Sequence, residues 1–142
     1  MGRIKIALPD TFIFSTTLTI QVSDLNYGNH LGNDKVLSFA HEIRMRWLNQ
    51  INQSELDFFG TSLIQGDAGI VYHSEGFYGD HLQASLGFGE ISRSSFELIY
   101  KIDNTTTGKS LATVKTGMVC FDYDTRKVKE IPEKFREYVK AI

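Results

Sequence analysis

The sequence lacks a second cysteine. Cys120 stands alone among 142 residues, which excludes an internal disulfide and with it the disulfide-stapled class of small secreted domains. An excess of charge is missing too. Fifteen Lys and Arg against 17 Asp and Glu leave a formal charge of −2, so no global field draws the chain toward nucleic acid or an anionic membrane surface. No apolar run approaches the roughly 20 residues of a membrane span, and the opening "MGRIKIALPD" carries no apolar core of a secretion signal. A cytoplasmic chain without nucleic-acid or membrane partners is expected. Linker compositions, internal repeats and low-complexity tracts are absent as well, so residues 1–142 are expected to form one domain, at a length near the prior of roughly 100 to 200 residues per domain.

What is present is apolar and patterned. Hydrophobic residues make up 42% and aromatics 12%, enough to bury a core and too much for a disordered chain. In "STTLTIQVS", residues 15–23, Leu18, Ile20 and Val22 alternate with Thr17, Thr19 and Gln21, the period of a half-buried strand. From Asn33 the period changes. Val36, Ala40, Ile43, Trp47 and Ile51 fall at steps of three and four, widened by Leu37, Phe39 and Leu48, which predicts a helix of four or five turns. Asn33 is placed to cap it, and Asp34 suits the positive end of its dipole. The breadth of the apolar surface predicts a helix wrapped by other structure.

Four strand-like stretches follow: 69–78, 81–91, 94–103 and 109–123. The short connections between them, "GD", "SR" and "NTTTGK", predict an antiparallel meander. A closing helix is expected over "IPEKFREYVKAI", with Pro132 at its first position. Strand, long helix and antiparallel strands define an α+β domain in which one helix buries itself in a curved sheet.

Between the first strand and the helix lies "NYGNHLGND", residues 26–34, with three Asn, two Gly, a His and an Asp in one loop. This loop, within "DLNYGNHLGN" at 24–33, resembles the D-x-D-x-x-G-H-V-N-N entry to the central helix of hotdog-fold acyl-CoA thioesterases of the 4-hydroxybenzoyl-CoA thioesterase-like family. "YGDHL" at 78–82 is similar to that family's GDEL turn, and "ISRSSFELIYKI" at 91–102 to its RSSF strand pair. The resemblance implies a hotdog fold, a curved antiparallel sheet wrapped around one long central helix. It implies hydrolysis of a fatty or aromatic acyl-CoA or acyl carrier protein thioester. It also implies a homodimer or homotetramer, and no cofactor beyond the coenzyme A of the substrate. One position departs: the family's second Asp, its nucleophile or base, falls on Asn26, and an amide takes no proton at neutral pH.

Thioester hydrolysis needs an activated water or a nucleophile, and donors for the oxyanion. A helix start offers a positive dipole end and unpaired N–H groups, so the loop reads as an oxyanion platform, with Gly28 allowing close backbone approach. Asp24 is the candidate base, Asn26 the water holder, His30 the loop-orienting residue and Asn33 the helix entry. The same residues also make ordinary turns and caps. Glu42, Glu75 and Asp67 are reserve carboxylates, and Glu42 sits where Arg46 can pair with it across one helical turn. Arg93, Ser94 and Ser95 suit a phosphate, and in the resembling family their turn lies near the coenzyme A phosphates. Tyr27, Trp47, Phe58, Phe59 and Phe77 are candidates to line an acyl pocket. No spacing among the histidines indicates a metal site. Two other readings stay open: a hotdog enoyl-CoA hydratase using Asp24 and His30 as an acid–base pair, and a non-catalytic acyl-thioester binder.

Overall fold

The computed structural model describes residues 2–142. The elements are β1 (Phe14–Thr19), a 3-10 turn (Val22–Asp24), α1 (Asn33–Gln50), β2 (Ser62–Tyr72), β3 (His81–Ile91), β4 (Ser95–Asn104), β5 (Lys109–Asp122), the two-residue β6 (Lys127–Val128) and α2 (Glu133–Ala141). All strand pairings are antiparallel. The sheet order is β1-β3-β4-β5-β2, with β6 on β5.

The expected strand at 15–23 ends earlier, because Val22 to Asp24 turn away as the 3-10 element. The expected strand at 69–78 is instead β2, which starts at Ser62 and stops at Tyr72, leaving 73–80 as a connecting loop. The meander expectation holds for β3, β4 and β5 only. β2 does not pair with its successor β3; it lies at the far edge against β5, with Tyr72 opposite Ala112 and Ser62 opposite Phe121. A bulge between Gln65 and Asp67 breaks the alternation there and bends the strand.

On β5 the even-numbered residues Ala112, Val114, Thr116, Met118 and Cys120 are all buried, while Lys115, Gly117 and Val119 are only half-buried. That parity turns one face of the sheet to the core. Against it α1 packs Val36, Phe39, Ala40, Ile43, Trp47 and Leu48, all buried. The helix is not wrapped all round: Ser38, His41, Glu42, Met45 and Asn49 lie open on its outer face. Its N-cap is Gly32 rather than Asn33, which is the first helical residue. Likewise Pro132 precedes α2 as its N-cap instead of opening its first turn.

The far end of α1 is closed by aromatic rings. Phe135 of α2 stands 4.8 Å from Phe96 and 4.9 Å from Phe58, centroid to centroid, and the Trp47 indole N–H donates to the Tyr138 hydroxyl at 3.2 Å. Burying a side chain such as Phe contributes about 1.5–3 kcal/mol, so this cluster anchors α2 and the end of α1 together. Trp47 and Phe58 are buried within it, core rather than the acyl pocket anticipated for them, while Phe59 packs on it half-buried.

Candidate active site

Two loops meet at the start of α1. One is the Asn26–Gly32 loop; the other, 73–78, follows β2. Leu31 N–H donates to Gly76 O at 2.8 Å and joins them. Gly76 has no room for a side chain: a Cβ there would stand 2.5 Å from Ile20 Cδ1 and 3.5 Å from Leu31 Cβ. Between the loops and the helix lies a cleft of about 340 Å³, lined by His30, Leu31, Asn33, Val36, Tyr72, His73, Ser74, Glu75, Gly76 and Leu111.

The first wall is built by Asn26. Its Oδ1 accepts from Gly28 N–H at 2.8 Å and from His30 N–H at 3.4 Å, and its Nδ2 lies 3.3 Å from His30 Nε2. His30 Nδ1 is 3.0 Å from the Leu31 carbonyl, which can only accept. The proton therefore sits on Nδ1, and in the neutral ring Nε2 receives the Asn26 amide. The left-handed residue of this loop is Asn29, at φ 62°, a conformation asparagine tolerates. Gly28 serves closeness: a Cβ there would stand 3.3 Å from both Asn26 Oδ1 and His30 Cδ2.

Asp24 does not line the cleft. Its Oδ2 accepts the Gln21 N–H at 2.8 Å in a reciprocal cap of the 3-10 turn, and its carbonyl accepts Gly32 N–H at 3.0 Å. It fixes the entry to the loop. Its carboxylate and the His30 ring hold different partners. Tyr27 is fully exposed at 103%, with no neighbour to pack against in this chain.

Apart from Glu75, the second wall comes from residues that the sequence alone did not single out. Tyr72 donates its hydroxyl to the Asn33 carbonyl at 3.0 Å, His73 Nε2 lies 2.9 Å from Thr113 Oγ1, and Ser74 donates to Ser110 O at 2.7 Å. The break in alternation after Tyr72, where "HSEG" replaces apolar residues, was the signal available for this loop. Glu75, a reserve candidate, lines the cleft with an exposed carboxylate that has no hydrogen-bond or ion-pair partner among the described residues. No side chain caps α1, and Lys35 N–H is already bonded to Gly32 O. The N–H groups of Asn33 and Asp34 are left without protein acceptors among the described residues. An anion or a developing oxyanion is what such a helix start accommodates.

The other reserves lie elsewhere. Glu42 pairs with Arg46 at 2.7 Å on the outer face of the helix. Asp67 and Glu97 flank Lys115 at 3.2 and 3.4 Å on the outer face of the sheet, and the hydrogen bond that Lys115 donates to Asp67 pushes the Lys115 pKa up. Phe77 is half-exposed beside the cleft loop. The turn with Arg93, Ser94 and Ser95 sits at the other end of the sheet. Ser95 pairs with Val119, whereas the cleft is reached at Leu111; at about 3.4 Å per residue those eight steps along β5 span roughly 27 Å. Arg93 is bonded to Glu130 there. His41 bonds Glu55 and His81 lies near Thr19. Among the described residues no group of three or more His, Cys, Asp or Glu is placed to hold a metal ion.

A curved antiparallel sheet closed around one long helix, with a polar cleft at the helix start, defines the hotdog class of α+β proteins. A family model described as the thioesterase-like superfamily matches residues 20–139, and the chain belongs to that family; by class it is a thioester hydrolase. No curated protein matches the sequence. Solved structures do. A 1,4-dihydroxy-2-naphthoyl-CoA thioesterase from Synechocystis is 21% identical over 87% of this chain and 92% of its own, with a TM-score of 0.78. A predicted thioesterase from Bacillus stearothermophilus is also 21% identical, covering 90% of this chain and 94% of its own at a TM-score of 0.79. A hypothetical protein from Staphylococcus aureus, solved in complex with CoA, is 17% identical, covering 96% and 87% at a TM-score of 0.79.

Proposed function

We propose that this chain hydrolyses acyl-CoA thioesters in the cleft between the start of α1 and the 73–76 loop, with Glu75 as the general base. The observation that carries this reading is one cleft lined both by a partnerless carboxylate and by an uncapped helix start. Glu75 takes a proton from water as the hydroxide adds to the thioester carbonyl. The oxyanion formed is held by the Asn33 N–H at the positive end of α1. The C–S bond then breaks, the proton passes from Glu75 to the leaving thiolate, and the products are a free acid and coenzyme A. His30, held by Asn26, orients the loop that shapes the cleft. Hydrolysis on this scheme uses no cofactor beyond the coenzyme A of the substrate.

The CoA-bound Staphylococcus aureus protein of the same fold supports coenzyme A as the carrier. A phosphate bound at Arg93 and a thioester bound at His30 are too far apart in one chain for one substrate. A two-fold dimer, in which the partner supplies the Arg93 turn, resolves this; the open edges of β1 and β2 leave surface for such pairing. A reducing cytoplasm suits the free, buried thiol of Cys120. No helix among the described residues is long and apolar enough to cross a membrane.

The test is thiol release from a panel of saturated and aromatic acyl-CoAs by the parent, Glu75→Gln and Asp24→Ala proteins. Glu75→Gln is expected to lose about 10²- to 10⁴-fold in kcat, the usual worth of a positioned base. Loss confined to Asp24→Ala would transfer the base to Asp24. No thiol release from any thioester by the parent would end the hydrolase reading.

A further inference from the structure

The outer face of the sheet contains a burial that the sheet and α1 do not account for. Along β4 the residues turned away from α1 include Glu97, Ile99 and Lys101; the two charged ones are half-buried, but Ile99 is only 4% exposed. Ile99 lies outside the core that α1 covers, so another segment must cover it. The register sets it in a row across four strands: Gly87 on β3, Ile99 on β4, Lys115 on β5 and Gly69 on β2. The chain that precedes β1 touches both ends of this row. A Cβ on Gly87 would stand 2.6 Å from Pro9 Cγ and 2.9 Å from the Thr11 carbonyl oxygen, and one on Gly69 would stand 3.8 Å from Ile4 Cγ2 and 4.0 Å from Ile6 Cδ1.

The lengths agree. Three strand spacings of about 4.8 Å make the row roughly 14 Å long, and the five residues from Pro9 back to Ile4 reach about 17 Å when extended. Residues 4–12 therefore form a strap that crosses the strands over Ile99, seated where glycines leave room for it. Its hold is light. Among the described residues no backbone hydrogen bond ties residues 2–12 to the sheet; the first is Ile13 N–H to Leu86 O at 2.8 Å. Ile4, Leu8 and Phe12 are still exposed on the strap. Apolar contact, rather than a hydrogen-bond ladder, keeps it in place, and such a segment opens at little free-energy cost.

We propose that the strap covers a surface fitted to a second copy of this chain, and that its release lets two copies stack outer face on outer face around Ile99. The residues beside the row argue for that partner. A two-fold axis along the row sets β4 of one copy antiparallel to β4 of the other, with Ile99 upon Ile99. Glu97 of each copy then opposes Lys101 of the other, so the charges flanking Ile99 on β4 are both met by their opposites. Gly69 and Gly87 keep the row low, which two sheets packing about 10 Å apart require. With the strap seated the row is filled and that approach is blocked. This surface lies on the opposite side of the sheet from α1, so the inference stands apart from the hydrolase reading and from pairing at the β1 and β2 edges.

The experiment measures the mass of the full chain by light scattering and sedimentation over a range of concentrations, for the parent and for two proteins whose strap is lifted by different means. Ile4→Asp/Ile6→Asp puts charge into the strap and leaves the sheet untouched, which guards against a fold defect; Gly87→Val fills the seat against Pro9. Both are expected to reach about twice the parent's mass, as a closed two-fold contact requires. Adding Ile99→Lys to Ile4→Asp/Ile6→Asp should return the mass to that of the parent, because two like charges then meet on the axis. Adding Lys101→Glu instead, which faces Glu97 of the other copy, should raise the concentration at which the heavier species forms. The parent's mass in both strap-lifted proteins overturns the inference, and so does a doubled mass that survives Ile99→Lys. A mass below the parent's would put the strap itself in an interface and overturn it too.

Discussion

Replacing Asn26 by Ala removes three contacts of unequal quality. The 2.8 Å bond to Gly28 N–H is good, while the contacts with His30 at 3.4 Å to N and 3.3 Å to Nε2 are long. Gly28 is exposed, so water replaces part of what is lost there; the His30 groups are half-buried and replaced less well. With a net hydrogen bond worth about 0.5–1.5 kcal/mol, the expected loss of stability is about 1–2 kcal/mol. The loop stays closed, because Asn26 N–H to His30 O at 2.9 Å and Leu31 N–H to Gly76 O at 2.8 Å are backbone bonds. Urea unfolding at fixed pH reads the stability, and thiol release reads the effect on the cleft. Asn26→Asp separates the roles. The carboxylate keeps the acceptor for Gly28 but offers His30 Nε2 no proton, so the His30 contact is lost while the Gly28 bond stays. This variant should therefore lose less stability than Asn26→Ala. The reasoning fails if Asn26→Ala loses less than about 0.3 kcal/mol, well under one ordinary hydrogen bond, or if Asn26→Asp is the less stable of the two.

Three further outcomes follow from the packing. Phe135→Ala should cost about 3–5 kcal/mol, the range for emptying a large aromatic site, because Phe135 touches Phe58, Phe96 and Tyr138; urea midpoints check it, and a loss under about 1 kcal/mol would mean that α2 is only loosely docked. Gly76→Val should cost about 1–3 kcal/mol through overpacking against Ile20 and should speed hydrogen exchange of the Leu31 amide, which an undisturbed loop would not do. Burial pushes the Cys120 thiol up to about 11, so reaction with an aromatic disulfide reagent at pH 8 should proceed only as fast as the protein opens; rapid labelling of the folded chain would contradict that placement.

Where periodicity was unbroken, the elements were legible from sequence. The step of three and four from Val36 to Ile51 marked α1, and β3, β4 and β5 stood between recognisable turns. β2 was misplaced because "SLIQGDAGIVY" holds three residues poor in strands, Gly66, Asp67 and Gly69, at and beside a bulge. Its partner was illegible for a different reason: turn signals report neighbours in sequence, and β2 pairs with a strand about 50 residues on. In the site, the loop with Asn26 and His30 was visible through its residue types. Of the opposite wall only Glu75 was singled out, as a reserve; Tyr72, His73 and Ser74 were not, since "HSEG" was absorbed into an expected strand. Arg44, only 3% exposed, escaped notice because a cation one position from Ile43 reads as the polar flank of an amphipathic helix; only the sheet packed over it shows that it is enclosed.

The strand order also dictates how the molecule comes together. Hairpins β3–β4 and β4–β5 close over a few residues, whereas β1 must find β3 and β2 must find β5 across long stretches of chain. Loop-closure entropy makes such distant pairings slow, placing folding toward the millisecond-to-second range of sheet-rich domains. The two walls of the cleft hang from those late strands: the Asn26 loop follows β1, and the Glu75 loop follows β2. By this order the loops that wall the cleft are expected to close after the β3–β4–β5 hairpins have formed.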